Sequence, residues 1–148
     1  DCLALGVLIC YEIIFPNVVQ DRVEAGANLL INQSNDAWFG DSSAPDQHLH
    51  LAVLRAVEQR RTILRATNTG ISAIIDPSGR IRSRTRLFEP ATLGPESVLT
   101  VQQRTLYSRH AQAIQVIFFA LTGLMSVLIL RTRAKPRPHK PQTPTAQP

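Results

Sequence analysis

The sequence predicts an α/β fold built on parallel strands, followed by one C-terminal transmembrane helix. Three observations predict it. Leu5-Gly6-Val7-Leu8-Ile9 is a continuous run of apolar and small residues, the mark of a strand buried on both faces. Asn28 to Asn32 is a second strand, reached through a helical segment, so strand, helix and strand fit within 28 residues. That spacing requires parallel strands and a right-handed crossover. Finally, Ala111 to Leu130 is 20 residues without one charge; as a helix it spans about 30 Å, the thickness of a hydrocarbon core.

Each element has a local cause. Phe15-Pro16-Asn17 opens a helix that runs to about Ala25, with Val18, Val19 and Val23 inward and Asp21, Arg22 and Glu24 outward; Gly26 caps it. Ser34 to Pro45 is a loop of turn formers that nevertheless carries adjacent Trp38 and Phe39. Trp38 reads either as a core anchor at the loop base or as an apolar lid beside Cys10. Asp46 to about Ala66 predicts a long helix, with Leu49, Val53, Ala56 or Val57, Arg60 and Ile63 or Leu64 on one stripe. Arg55–Glu58 and Glu58–Arg61 are i,i+3 pairs on it. His48 and His50 are two apart and point to different faces, which argues against metal ligation. Thr67 to Gly70 turns into a strand from Ile71 to Asp76, and Pro77-Ser78-Gly79 makes a hairpin into Arg80 to Leu87. Period two places Arg80, Arg82, Arg84 and Arg86 on one face. A solvated edge explains that face, with a phospholipid headgroup contact as the functional alternative. Ser97 to Val101 is expected to form a last strand.

The formal charge of +5 belongs to the tail rather than to the body. All 11 acidic residues and 11 of the 16 basic ones precede Arg131, so residues 1–130 are neutral. The rest (Arg131, Arg133, Lys135, Arg137 and Lys140) share a Pro-rich tail. A basic body with interleaved aromatics is missing, which excludes nucleic acid as the expected partner. After an apolar helix these cations read as the positive-inside flank, with Tyr107, Arg109 and His110 at the opposite interface. The organisation expected is thus a folded α/β part over 1–105, a transmembrane helix with its flanks over 106–131 and a disordered cytoplasmic tail over 132–148. The partner this implies is a membrane, with residues 1 to about 105 on its outer side. Cys2 and Cys10 stand eight apart on one extended segment, too far for a disulfide. Because the chain enters a buried strand at once, it reads as the C-terminal part of a longer protein.

Cys10 ends the first strand and is followed by Tyr11-Glu12. By itself such a thiol is packing or nucleophile; open α/β sheets place reactive groups at this edge. Its company decides between the two. Ile9-Cys10-Tyr11-Glu12, Ser34-Asn35-Asp36-Ala37-Trp38-Phe39-Gly40, Pro45-x-Gln47-His48, Arg55-Ala56-x-Glu58 and Arg65-x-Thr67-Asn68-x-Gly70-Ile71-Ser72-Ala73 together resemble the apolipoprotein N-acyltransferase branch of the nitrilase (carbon–nitrogen hydrolase) superfamily.

The resemblance covers about residues 3–130. It implies part of an α-β-β-α sandwich and, in the parent, a Glu–Lys–Cys triad with no cofactor and no metal. Cys10 would be the nucleophile, Tyr11 a backbone oxyanion donor and Glu12 a supporting acid. Trp38, with Phe39 and Asn35 of the same loop, would be the substrate-binding lid. The implied substrates are a phospholipid acyl donor and a diacylglyceryl-apolipoprotein acceptor. The implied location is the bacterial inner membrane, with the catalytic part periplasmic. The triad Glu and Lys precede the nucleophile in the family order and find no match here, so the 148 residues alone are expected to be inactive. A nitrilase-type hydrolase and a non-catalytic membrane-tethered remnant are the competing readings.

Overall fold

The computed structural model describes residues 2–94 and 97–133. Five strands, β1 (Leu5–Ile9), β2 (Leu29–Ser34), β3 (Thr62–Thr67), β4 (Ala73–Ile75) and β5 (Ile81–Arg84), form one sheet in sequence order. β1, β2 and β3 run parallel. β4 and β5 return antiparallel. Two helices, α1 (Pro16–Glu24) and α2 (Ala44–Gln59), occupy the connections between the parallel strands.

α1 forms where expected. Pro16 stands at its start, where its missing N–H costs nothing, and Gly26 leaves it at φ 102°. Val19 and Val23 of α1 and Leu49, Ala52 and Ala56 of α2 meet Leu8, Leu30, Ile63 and Ile75 of the sheet in one buried cluster. Each large aliphatic side chain there contributes about 1.5–3 kcal/mol by burial. Gly6 permits a close approach, since a Cβ would come within 2.8 Å of Leu30 and 2.9 Å of Ala27.

Five expectations need correction. β1 is not buried on both faces: Gly6 and Leu8 are buried, but Leu5, Val7 and Ile9 are 51%, 44% and 53% exposed. β1 is an outer strand of the sheet, and the helices cover the other face. Second, the long helix does not reach Ala66. α2 stops at Gln59, Arg60 takes the left-handed region (φ 48°, ψ 51°), and Thr62–Thr67 is the strand β3. The β-branched pair Thr62-Ile63 favours a strand, but its apolar spacing continued the helical stripe. Third, Arg61 does not pair with Glu58; its guanidinium donates to the carbonyls of Ala27, Gln59, Arg60, Gln102 and Gln103 at 2.8–3.2 Å. Fourth, Ser97–Val101 forms no strand, and Thr62 Oγ1 donates to its Leu99 carbonyl at 2.5 Å. Fifth, β5 is shorter than expected and bulged at the Ile74/Ile75 step, yet Arg80, Arg82, Arg84 and Arg86 all remain exposed.

Leu106–Arg133 forms α3, interrupted at His110 (φ −130°, ψ 19°). Its segment Leu106–Arg131 has the length and composition of a membrane crossing. Within that apolar stretch, Thr122 and Ser126 donate back to the carbonyls of Phe118 and Thr122, each at 2.8 Å, so neither of these two hydroxyls needs water. A disordered tail is expected from residue 132, but α3 includes residues 132 and 133; the rest of it, from residue 134 on, lies outside the described residues.

Candidate active site

Three parallel strands end at one sheet edge, which collects Cys10 after β1, Ser34 at the end of β2 and Thr67 at the end of β3. Cys10 opens a 3-10 turn, Cys10–Ile14, with φ 50°. A left-handed backbone is uncommon for a residue with a Cβ, and residues held there cluster at active sites and ligand clamps. Two groups hold that turn. The Glu12 carboxylate accepts the Ile9 N–H at 2.8 Å. The Asn32 amide donates to the carbonyls of Leu8 and Cys10, both at 3.3 Å. The Cys10 thiol is free, half-buried and 3.6 Å from Ser34 Oγ.

Behind the thiol stands a buried polar cluster. The Asp36 carboxylate, 2% exposed, is contacted by Ser34 Oγ at 2.6 Å, Arg65 Nη2 at 2.8 Å and His48 Nδ1 at 3.3 Å. Burial alone would raise its pKa. Hydrogen bonding from His48 and Ser34, together with the Arg65 charge, outweighs that and lowers it to about 2. Asp36 is therefore a fixed anion at neutral pH and too weak a base to take the thiol proton. Arg65, 3% exposed, also donates through Nε to the Ile71 carbonyl at 3.2 Å and through Nη1 to Asn32 Oδ1. Burial pulls its pKa down and Asp36 opposes that shift. His48 Nδ1 lies 3.0 Å from Arg65 Nη2. A guanidinium only donates and Nδ1 already donates to Asp36, so this approach is a contact rather than a hydrogen bond.

Aromatic rings flank this cluster. Tyr11 stacks on His48 with centroids 5.3 Å apart, and Phe39 meets both rings edge-on at 5.9 Å. Trp38 is 91% exposed, so it is not a core anchor. Asn35 caps the short turn Asp36–Phe39, its side chain accepting the Ala37 N–H at 3.2 Å.

The family model for carbon-nitrogen hydrolases matches residues 1–105. The chain belongs to the carbon–nitrogen hydrolase family. Among curated relatives, apolipoprotein N-acyltransferase of Geobacter metallireducens is 42% identical over 130 residues, covering 88% of this chain and 25% of that protein. The Allorhizobium ampelinum protein of the same name is 54% identical over 123 residues, 83% of this chain and 22% of its own length. The chain thus spans about a quarter of the length of these relatives. A nitrilase-superfamily amidase from Nesterenkonia superposes with a TM-score of 0.50 at 28% identity, over 59% of this chain and 35% of its own. A carbon-nitrogen hydrolase from Helicobacter pylori shares the fold at a TM-score of 0.51 and 14% identity, over 58% and 37% of the two chains. The resemblance that the Cys-Tyr-Glu and Asn-Asp-Ala-Trp-Phe-Gly motifs carry is borne out.

Against this carbon–nitrogen hydrolase frame, the structure brings Cys10, Tyr11, Glu12 and Phe39 to one sheet edge and leaves Trp38 in solvent. Sequence reasoning gave no role to Asn32, Ser34, Asp36, His48 or Arg65. The signal was present, since all but Asn32 lie within the motifs quoted above. It was obscured because Arg65 was placed at a helix end and His48 was tested only as a metal ligand.

Proposed function

We propose that this chain supplies the nucleophile of an N-acyltransferase that moves a fatty acyl chain from a phospholipid to the α-amine of a diacylglyceryl-cysteine. One observation carries the reading: a free thiol in a left-handed turn at the carboxyl edge of a parallel sheet, backed by a buried ionic cluster. The N-acyltransferase names of the relatives support the choice of reaction.

In the first half-reaction the Cys10 sulfur bonds to the ester carbonyl carbon. The ester C–O bond breaks, and the thiol proton passes through a general base to the departing lysophospholipid alkoxide. In the second, the acceptor amine attacks the thioester, the C–S bond breaks and the amine's proton returns to the thiolate through the base. A thiolate suits both steps, being a strong nucleophile and a leaving group toward an amine. The Tyr11 backbone N–H is assigned to the developing oxyanion. Since Asp36 is committed to Arg65, the base is assigned to the Glu that the family places before the nucleophile, outside these residues. Trp38, in contact with solvent, is the apolar element free to meet a lipid chain. With α3 across the inner membrane, the basic flank from Arg131 onward supports a cytoplasmic C-terminus and a periplasmic position for residues 1–105.

A phospholipid with a labelled acyl chain tests the reading. In the full-length protein we expect a hydroxylamine-sensitive acyl adduct on Cys10, absent from Cys10→Ala and retained in Cys2→Ser. Persistence of the adduct in Cys10→Ala overturns the assignment. The 148-residue chain alone is expected to stay unlabelled; labelling at the full-length rate would show that the triad Glu and Lys are dispensable. Adding a diacylglyceryl-peptide separates transfer from hydrolysis, because only transfer yields acylated peptide instead of free fatty acid.

A further inference from the structure

The buried polar groups are connected in a closed ring that begins and ends on Cys10. From the Cys10 carbonyl the ring passes to the Asn32 amide at 3.3 Å, and the Asn32 oxygen receives Arg65 Nη1. The other terminal nitrogen of the same guanidinium reaches Asp36 Oδ2 at 2.8 Å. Asp36 Oδ1 holds the Ser34 hydroxyl at 2.6 Å, and Ser34 Oγ lies 3.6 Å from Cys10 Sγ. Asn32 and Arg65 are cross-strand partners in the β2–β3 register, and Leu8 pairs with Asn32 across β1–β2. Asn32, Ser34 and Arg65 of the ring are thus mounted on the adjacent strands β2 and β3, and Cys10 and Asp36 sit in the short turns that follow β1 and β2. Gly70 packs against Asp36 from the far side, within 2.7 Å of its Cβ if it carried a Cβ of its own, and closes off room for the carboxylate to move.

We infer that this ring positions the nucleophile, with Ser34 as the residue that fixes the thiol and Asn32 as the residue that fixes its backbone. A buried ion pair is weak evidence for stability, because desolvation offsets much of its Coulombic gain. A purely stabilising pair would also have no reason to contact both the side chain and the main chain of one left-handed residue. The planar fork of Arg65 bridges the two arms, a geometry that a Lys ammonium cannot reproduce. The Ser34 hydroxyl has one hydrogen and two claimants. While Asp36 holds it, the oxygen lone pair faces the thiol, and on ionisation of Cys10 the hydrogen can turn to the sulfur. Charged or titratable groups in contact with this ring are Arg65, Asp36 and His48, with Glu12 bound across the turn at Ile9. Asn32 and Ser34 thus act through Cys10 and not on the substrate.

The inference rests on Cys10 as the nucleophile. The test uses the full-length protein reconstituted with a phospholipid bearing a labelled acyl chain, and follows acyl-thioester formation against donor concentration. Misplacing a reacting group by a fraction of an ångström costs about tenfold or more, so Ser34→Ala should lower the saturating rate by about that factor. The donor concentration at half-saturation should stay within about twofold. Ser34→Thr, which keeps the hydroxyl, should recover most of the rate. Asn32→Asp, which keeps the acceptor for Arg65 but loses the donors to Leu8 and Cys10, should show the same split from the other arm. Ser34→Ala acylating at the wild-type rate, a loss confined to donor half-saturation, or a Thr variant as slow as Ala each overturns the inference while leaving the nucleophile intact. Continued acylation of Cys10→Ala removes both.

Discussion

Cys10 and Asp36 divide the chemistry of this site at the scale of single residues. Cys10 is half-buried, left-handed and free; Asp36 is fully enclosed and committed to Arg65, Ser34 and His48. Removing the Asp36 carboxylate would leave the Arg65 guanidinium buried without its counter-charge, so Asp36→Ala should cost about 3–5 kcal/mol of stability. Its titration gives a sharper measurement. The folded carboxyl sits at about 2 against an ordinary 3.8, so the folded state binds fewer protons here than the unfolded one. The Asp36 contribution is complete above the ordinary carboxylate range and is lost as pH falls through about 4 toward about 2. Urea titrations of wild type and Asp36→Asn should show a stability gap that is constant from pH 7 to 5 and narrows below pH 4. A gap independent of pH would mean that Asp36 does not carry the pairing described.

The elements show which parts of the fold were legible beforehand. α1, β1, β2 and the Pro77-Ser78-Gly79 hairpin carry their own start and stop signals, and they form where those signals stand. The boundary between α2 and β3 carries none: Arg60 and Arg61 are neither Gly nor Pro, and Ile63 and Leu64 prolong the helical stripe of Leu49, Val53 and Ala56. The break is imposed by tertiary structure, as β3 pairs with β2 from Leu29↔Thr62 to Ser34↔Thr67 and Arg61 is held by five carbonyls. The buried cluster was illegible for the same reason, because Asn32, Asp36, His48 and Arg65 come from four separate elements that only the sheet register unites. Arg60 bears the local cost, at φ 48° without glycine's freedom. Arg60 is exposed, and its N–H already closes α2 on the Ala56 and Val57 carbonyls. Arg60→Gly should therefore stabilise the protein by about 0.5–1 kcal/mol, raising the melting temperature with no change in acylation. Gly70→Ala should do the reverse, since its methyl group would meet the Asp36 side chain. A normal acylation rate in Gly70→Ala would show that the carboxylate has room to retreat.

At the scale of the whole molecule, residues 2–109 supply one sheet with α1 and α2 packed on one of its faces. The other face is not finished as a surface. Leu5, Val7 and Ile9 project from it about half exposed, on a strand whose remaining residues, Gly6 and Leu8, are buried. Apolar residues on both faces of a strand signify burial on both faces, and a single sheet with one helical layer leaves the second face bare. The curated relatives are about three and a half to four times the length of this chain, and a protein of that length has the material for a second sheet against this face. That arrangement predicts a difference between contexts for one substitution. In the full-length protein, Val7→Asp would bury an unpaired carboxylate and should cost about 3 kcal/mol or more, lowering the melting temperature and the yield of folded enzyme. In the 148-residue chain, the same side chain reaches solvent and the change should stay within about 0.5 kcal/mol. Equal destabilisation in both contexts would show that this face is already packed in the shorter chain.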